Sequence, residues 1–415
     1  MSFTRRQQLG TLLYDWPRFL WCLRPRLLCR GEAPWLRLRN RHEGLIIQPG
    51  GVGVKCDWEY THNLHLCNVF PITGCWLLQR ALRDWPLRLL DAPDPVTADK
   101  VCWNASRAPD GITRPQDDGT TGARDDGQGR SGDRHDPPRR TRLPHSDLSP
   151  TALRPPTSAS PQVSFLIGHR GEERLPLLLL TLRSIAAQEG TTFECIVIEQ
   201  DSEPRVRDRL PGWVRYLHTP PPDPGMPYCR SWAFNVAARA ARGEVLIGHD
   251  NDMLVPVGYA RSVVDLVASG CDVIQPKRFV FYLDESSSEA TCRGGLVPDD
   301  CRCEQVIQNL EGGGSLAIRR DAYLAIGGFD EQFVGWGDED NEFWDRCLTL
   351  AVHPYGYLPV LHLWHAPQPG KRGRDGNGAQ TWELTAARRA IPADARIREL
   401  VGRSFGDSSR PWSPS

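Results

Sequence analysis

VSFLIGHRGEERLPLLLLTLRSIAAQEGTTFECIVIEQD, residues 163–201, holds the pattern that decides the fold. VSFLIGH (163–169) and FECIVIEQD (193–201) are short apolar runs rich in β-branched residues, and each ends in polar side chains. Between them, LPLLLLTLRSIAAQ (175–188) has the length and composition of a helix. Apolar runs without alternation read as strands covered on both faces, and strand–helix–strand spacing reads as parallel pairing. The pattern continues with VRYLHT (214–219), a helix at 229–241 (CRSWAFNVAARAA) and EVLIGHDND (244–252). The fold class is therefore α/β, a mostly parallel sheet flanked by helices. Ligands in such sheets bind beyond the C-terminal strand ends. His169-Arg170, Glu199-Gln200-Asp201 and Asp250-Asn251-Asp252 all stand at such ends, so all three are expected on one rim.

The chain has 415 residues, a length that suggests two or three domains at about 150 residues each. Its cations are 46 Arg and only 4 Lys, and 51 acids bring the formal charge to -1. That balance excludes a generally basic nucleic-acid binder. The 35 prolines exceed the usual ~5%. Residues 104–160 account for much of the excess. They contain no aromatic residue, and their large aliphatics are Ile112, Leu143, Leu148 and Leu153. Such a segment buries too little surface to offset its ordering entropy and reads as a disordered linker. The division that follows is an N-terminal module over 1–103, the linker over 104–160, the α/β domain over 161–370, and a polar, peripheral tail over 371–415 with one helix at about 380–402.

Thirteen cysteines without a CxxC pair point to free thiols in a reducing cytosol. Cys56, His62, His65 and Cys67 fall close together, but their spacing fits no standard zinc pattern. No uncharged apolar run approaches the roughly 18 residues of a membrane span. Arg18, Arg24, Arg26 and Arg30 interrupt the N-terminal apolar stretch, unlike a signal peptide. Residues 9–30 mix Leu, Trp and Phe with Arg. They read either as an amphipathic helix packed on the protein or as a contact with the inner face of a membrane. The expected location is cytoplasmic, with that peripheral contact as an option.

Three clusters carry chemistry. In HDNDM (249–253), two carboxylates one residue apart follow a buried strand. Mg²⁺ or Mn²⁺ with a phosphate suits such oxygens, and an ordinary Asp/Asn turn is the other reading. In GWGDEDNEFWDR (335–346), glycines flank Trp336 ahead of a run of acids. An exposed Trp suits stacking on a sugar, and a carboxylate at a helix start can serve as a general base or simply cap the helix. HLWH (362–365) offers His362 and His365 at i, i+3, either as metal ligands or as structural residues.

Taken in order, these segments, together with EGGGSLAIRRDAYLAIGGFDEQFVGWGDEDNEF (311–343), resemble nucleotide-sugar glycosyltransferases of the GT-A, Rossmann-like fold. The resemblance is to the β-1,4-galactosyltransferase and chondroitin-polymerase-like group, and it covers about 161–366. It implies that Asp252 and His365 ligate Mn²⁺ or Mg²⁺, with Asp250 on the metal or the ribose and His362 the lesser candidate. It implies catalysis at Glu339-Asp340, with Asp340 as base. It implies donor contacts from Arg170, Asp201, Arg230, Asn235, Gly313 and Gly314, with Trp336 in the sugar-binding loop. Two positions depart from the group: Asp338 stands where a Gly is usual, and Gly168-His169 replaces a Pro-x pair.

The expected reaction is transfer of a hexose or N-acetylhexosamine from a UDP-sugar to a glycan or other hydroxyl acceptor. One base opposite the leaving group implies inversion. A retaining N-acetylgalactosaminyltransferase, a nucleotidyltransferase and a non-catalytic carbohydrate-binding scaffold are the alternatives. The sequence does not fix the oligomeric state.

Overall fold

The computed structural model describes residues 4–15, 71–90, 160–294, 297, 300–308, 312–335, 337–353, 358–366 and 377–411. The linker expected at 104–160, the Cys56–Cys67 cluster and most of 9–30 lie outside the described residues, apart from Ser160 and 9–15. Among the described residues, no helix is long and apolar enough to cross a membrane.

β1 (Val163–His169), β2 (Phe193–Glu199), β3 (Arg215–His218) and β4 (Val245–His249) run parallel in the order β4-β1-β2-β3. Side chains alternate across β1. Phe165 and Ile167 face one core with Leu178 and Leu182 of the helix Leu175–Ala186. Leu166 faces the other core, with Trp232 and Phe234 of the helix Arg230–Ala240. Continuous apolar strands thus follow from a sheet with both faces covered. The chain steps outward from β1 to β3, then returns to lay β4 on the opposite side of β1. That reversal opens a crevice between the C-terminal ends of β1 and β4.

The sheet extends further than the parallel reading. After β5 (Met253–Leu254) come β6 (Val273–Ile274), β7 (Lys277–Leu283), β8 (Cys303–Gln308), β9 (Ser315–Arg319), β10 (Val352–His353) and β11 (Leu358–His362). β9 lies antiparallel between β4 and β6, with β10 outside β6, giving seven strands. A second sheet runs β5-β11-β7-β8. β11 pairs antiparallel with β5 at Leu361–Leu254 and His362–Met253, which carries His362 to the end of the HDNDM segment.

Two segments expected to stand apart are built into the same compact unit as the α/β domain. The helix Pro71–Asp84 sets Leu77, Leu78 and Ala81 against Phe281, Val306 and Leu361 of the second sheet. Leu90 N then donates to Arg183 O at 3.2 Å. The tail expected to be peripheral holds two helices, Asn377–Arg389 and Ala393–Val401. Leu400 and Phe405 are buried, and Trp232 Nε1 donates to Asp407 O at 2.5 Å.

Charge explains why a polar segment docks so firmly. Asp330 is buried against Arg388 (2.9 Å) and Arg403 (3.3 Å). Glu342 is buried between Arg346 (2.7 Å) and Arg396 (2.8 Å). Burial alone would raise the Glu342 carboxyl, but these guanidiniums outweigh it and hold it below the usual range. Its stabilisation is therefore full above the unfolded carboxylate range and is lost as pH falls through the depressed folded value. Glu342→Gln leaves two buried arginines undercompensated and should cost about 3–5 kcal/mol in urea unfolding near neutral pH. The deficit should shrink in acid, where the wild-type carboxyl is itself protonated. A variant as stable as the wild type would show that the Glu342 ion pairs contribute nothing to the docking of the C-terminal helices.

Candidate active site

At the C-terminal end of β4, every residue of HDNDM is fixed by a different neighbour. His249 Nδ1 meets Ser315 Oγ at 2.8 Å, and burial pushes this imidazole down to about 4. Asp250 N donates to Gly314 O at 2.8 Å, tying the acid to the glycine stretch ahead of β9. Asn251 Nδ2 lies 2.9 Å from His169 Nδ1 at the end of β1. Burial holds His169 neutral, with a pKa of about 4, so that nitrogen accepts. Leu363 N donates to Asp252 O at 2.8 Å. The two carboxylates consequently face different surroundings.

Asp250 turns to Arg230, whose Nε donates to Asp250 Oδ1 at 2.8 Å. Arg230 Nη1 reaches Glu339 Oε1 at 3.4 Å, so one guanidinium joins the end of β4 to the helix Glu339–Cys347. Asp252 turns the other way, toward His362 (3.7 Å to Oδ1) and His365 (3.4 Å to Oδ2). The ligand atoms of Asp252, His362 and His365 lie within 4.8 Å of one another, a group able to hold a metal ion. Two buried atoms within it, Asp252 Oδ1 and His362 Nδ1, have no hydrogen-bond partner. One carboxylate and two imidazoles suit Mn²⁺, and these orphan lone pairs fit a cation. His362 stands with Asp252 and His365 in this group, while Asp250 is paired with Arg230.

The acids of GWGDEDNEF sit at a helix N-terminus reached through a left-handed turn. Gly335, Gly337 and Asp338 have φ of 99°, 102° and 67°. Asp338 occupies a conformation that favours glycine, which is why a Gly is usual there, and Asp is among the side chains that tolerate it. Asp338 Oδ1 accepts from Asn341 Nδ2 at 2.7 Å. Gly335 N donates to Tyr228 O at 3.0 Å, anchoring this turn beside the start of the 230–240 helix. The other departure has a steric cause. A Cβ at Gly168 would lie 2.0 Å from Tyr228 Oη.

Asp340 Oδ1 accepts from Asn341 N at 2.9 Å. Burial raises its carboxyl, with Arg230 opposing and Asp250 adding to the rise. Burial also pushes Glu339 up to about 7, with the Asp340 charge adding to it and Arg230 opposing. Two neighbouring acids with raised values titrate as a pair and can hold a proton near neutrality.

The remaining expected residues divide. Arg170 stands at the end of β1 with Nη1 on Met226 O at 2.8 Å. Asp201 closes a local turn at the end of β2, accepting from Ser202 N at 2.8 Å. Gly313 and Gly314 are buried beside Asp250, and Trp336 lies outside the described residues. Asn235 is a correction. It is fully buried, donates to Phe329 O and Glu331 Oε1, and accepts from Tyr323 Oη and Phe329 N. Those bonds use both its donors and both its acceptor positions, so its side chain fixes the 323–331 segment.

Two residues escaped the sequence reading. Lys277 is fully buried and donates to Ser315 O at 2.6 Å and Gln275 Oε1 at 3.0 Å, and burial pushes its ammonium down to about 7. Arg174 donates to Asp252 Oδ2 at 2.7 Å. The rarity of Lys in this chain was the available signal for the first. For the second, only its place in HRGEER beside Arg170 pointed to the rim.

The family model described as glycosyl transferase family 2 matches residues 167–313. The model described as the N-terminal domain of galactosyltransferase matches residues 296–356. Among solved structures, the catalytic domain of Drosophila beta1,4galactosyltransferase 7 in complex with xylobiose aligns at 15% identity with a TM-score of 0.34, over 56% of this chain and 82% of that one. GalNAc-T7 with UDP, GalNAc and Mn²⁺ aligns at 14% identity with a TM-score of 0.39, over 60% of this chain and 55% of that one. Among curated protein sequences, none matches.

The raised Glu339 value sets a measurable sign. The native state binds a proton at Glu339 that the unfolded state releases at lower pH, so this group's contribution to stability falls as pH rises from the ordinary carboxylate range through about 7. Glu339→Gln removes the buried charge. Its thermal midpoint should match the wild type at pH 5 and exceed it increasingly toward pH 8. A constant offset across that range would contradict the assignment.

Proposed function

We propose that residues 167–356, matched by the family models described as glycosyl transferase family 2 and the N-terminal domain of galactosyltransferase, carry the catalytic domain of a nucleotide-sugar glycosyltransferase of the GT-A type, and that the enzyme moves a hexose or N-acetylhexosamine from a UDP-sugar to an acceptor hydroxyl. The reading is a cation-dependent single displacement with inversion, in glycan or polysaccharide synthesis. It is supported above all by two acids distant in sequence, Asp250 and Glu339, meeting on one buried guanidinium next to the Asp252, His362 and His365 group.

Asp252, His362 and His365 are the residues that would hold Mn²⁺ or Mg²⁺. A divalent ion bound there supplies positive charge against the leaving diphosphate. Asp340 takes the proton from the acceptor hydroxyl during attack, because an alcohol is a weak nucleophile near neutral pH. Glu339 stays on Arg230, which fixes the first turn of the helix carrying the base. Arg170 brings a cation to the end of β1 for the donor phosphates, and Gly313 and Gly314 leave room for backbone to approach the donor sugar. Trp336 supplies an aromatic face for a sugar ring.

Asp340→Asn should lower the transfer rate by about 10³, in the range expected for loss of a general base, and leave donor affinity unchanged. Unchanged turnover would remove Asp340 from that role, and NMR of the product anomer reads inversion directly. For the donor, a panel of UDP-sugars with Mn²⁺ should raise the thermal midpoint for the true substrate. Saturation at 100 times Kd corresponds to about 2.7 kcal/mol. A panel without any shift, with or without Mn²⁺, would contradict a UDP-sugar donor.

A further inference from the structure

Arg174 ends the short turn Glu172–Arg174 ahead of the 175–186 helix and reaches into the candidate cation group. Its Nη1 donates to Asp252 Oδ2 at 2.7 Å, and its Nη2 lies 3.2 Å from Nδ1 and 3.3 Å from Nε2 of His365. His365 Nδ1 also lies 2.8 Å from Ala366 O. A carbonyl oxygen only accepts, so Nδ1 carries the hydrogen and Nε2 keeps the lone pair. That Nε2 faces Asp252 Oδ2 at 3.4 Å. Two electron-rich atoms this close need positive charge against them. One planar guanidinium, with only 15% of its side chain exposed, supplies it to both.

Asp252 and His365 are two of the three residues that could hold a metal ion. Resting on the reading of Asp252, His362 and His365 as a cation site, we propose that Arg174 is a displaceable internal counter-ion. It holds Asp252 and His365 in place in the metal-free enzyme, and it must withdraw before both can ligate a metal. The side chain cannot shed its proton to make way, so withdrawal means swinging the guanidinium out of the group. Arg174 thus lowers the affinity for the metal alone and guards against collapse of the group without it.

The test is Mn²⁺ binding itself, measured by calorimetry on the wild type, Arg174→Gln and Arg174→Lys without donor. Arg174→Gln should bind Mn²⁺ about tenfold more tightly, within the usual span of coupling between two competing ligands. Arg174→Lys, which keeps the charge and loses the planar fork, should fall between. Arg174→Gln should also melt lower than the wild type without metal and gain more on adding Mn²⁺. Equal or weaker Mn²⁺ affinity in Arg174→Gln would overturn the proposal. A second measurement needs no variant. In the wild type, phenylglyoxal modification of Arg174, read by peptide mass spectrometry, should rise when Mn²⁺ binds, and an unchanged yield would overturn it. If neither the wild type nor Arg174→Gln binds Mn²⁺, the cation reading itself fails and this proposal with it. Binding with equal affinity in both defeats only the role of Arg174.

Discussion

One buried guanidinium sets the terms for the whole site. Arg230 is mostly enclosed and lies 4.3 Å from the centre of the Phe234 ring, yet it faces Asp250 on one side and Glu339 on the other. It offsets part of the cost of enclosing Glu339, and an arginine, unlike a lysine, does not lose its proton when water is removed. The ends of β4 and of the 339–347 helix are far apart in sequence, and this contact brings them together. Where charge balance is tight, geometry is tight as well. Glu339 has a charged partner, while Asp340 is held by its neighbour's backbone.

The parallel half of the fold was legible because its strands are apolar on both faces, as in FECIVIE, and end in polar residues at one rim. The acids were legible because runs such as HDND and GDED concentrate charge where a buried strand or a helix begins or ends. What stayed hidden depended on pairing between distant segments. SLAIR at 315–319 reads as a strand, but its antiparallel insertion between β4 and β6 cannot be read from its own residues. Asn235 shows the same limit from the other side. The resemblance implied a donor contact for it, while its amide is used up by the 323–331 segment. Asp250 and Asp252 looked like one motif and turned out to face different partners, because the chain turns at Asn251-Asp252, whereas on a continuing strand side chains two apart would share a face.

Cation use in this chain follows a consistent physical logic. Several arginines, including 230, 346, 388 and 396, are buried against carboxylates, a task that suits a planar ion with several donors and weak hydration.

The clasp made by the C-terminal helices also bears on the order in which the protein matures. A ribosome releases Asp330 and Glu342 well before Arg388, Arg396 and Arg403, which later neutralise them. Until those arginines emerge, the helix bearing Glu339 and Asp340 has one end weighted with incompletely compensated acid. A nascent chain can therefore assemble the β1–β4 layer early, as units made first tend to fold first. Its acid pair gains a rigid platform only when residues 388–403 dock.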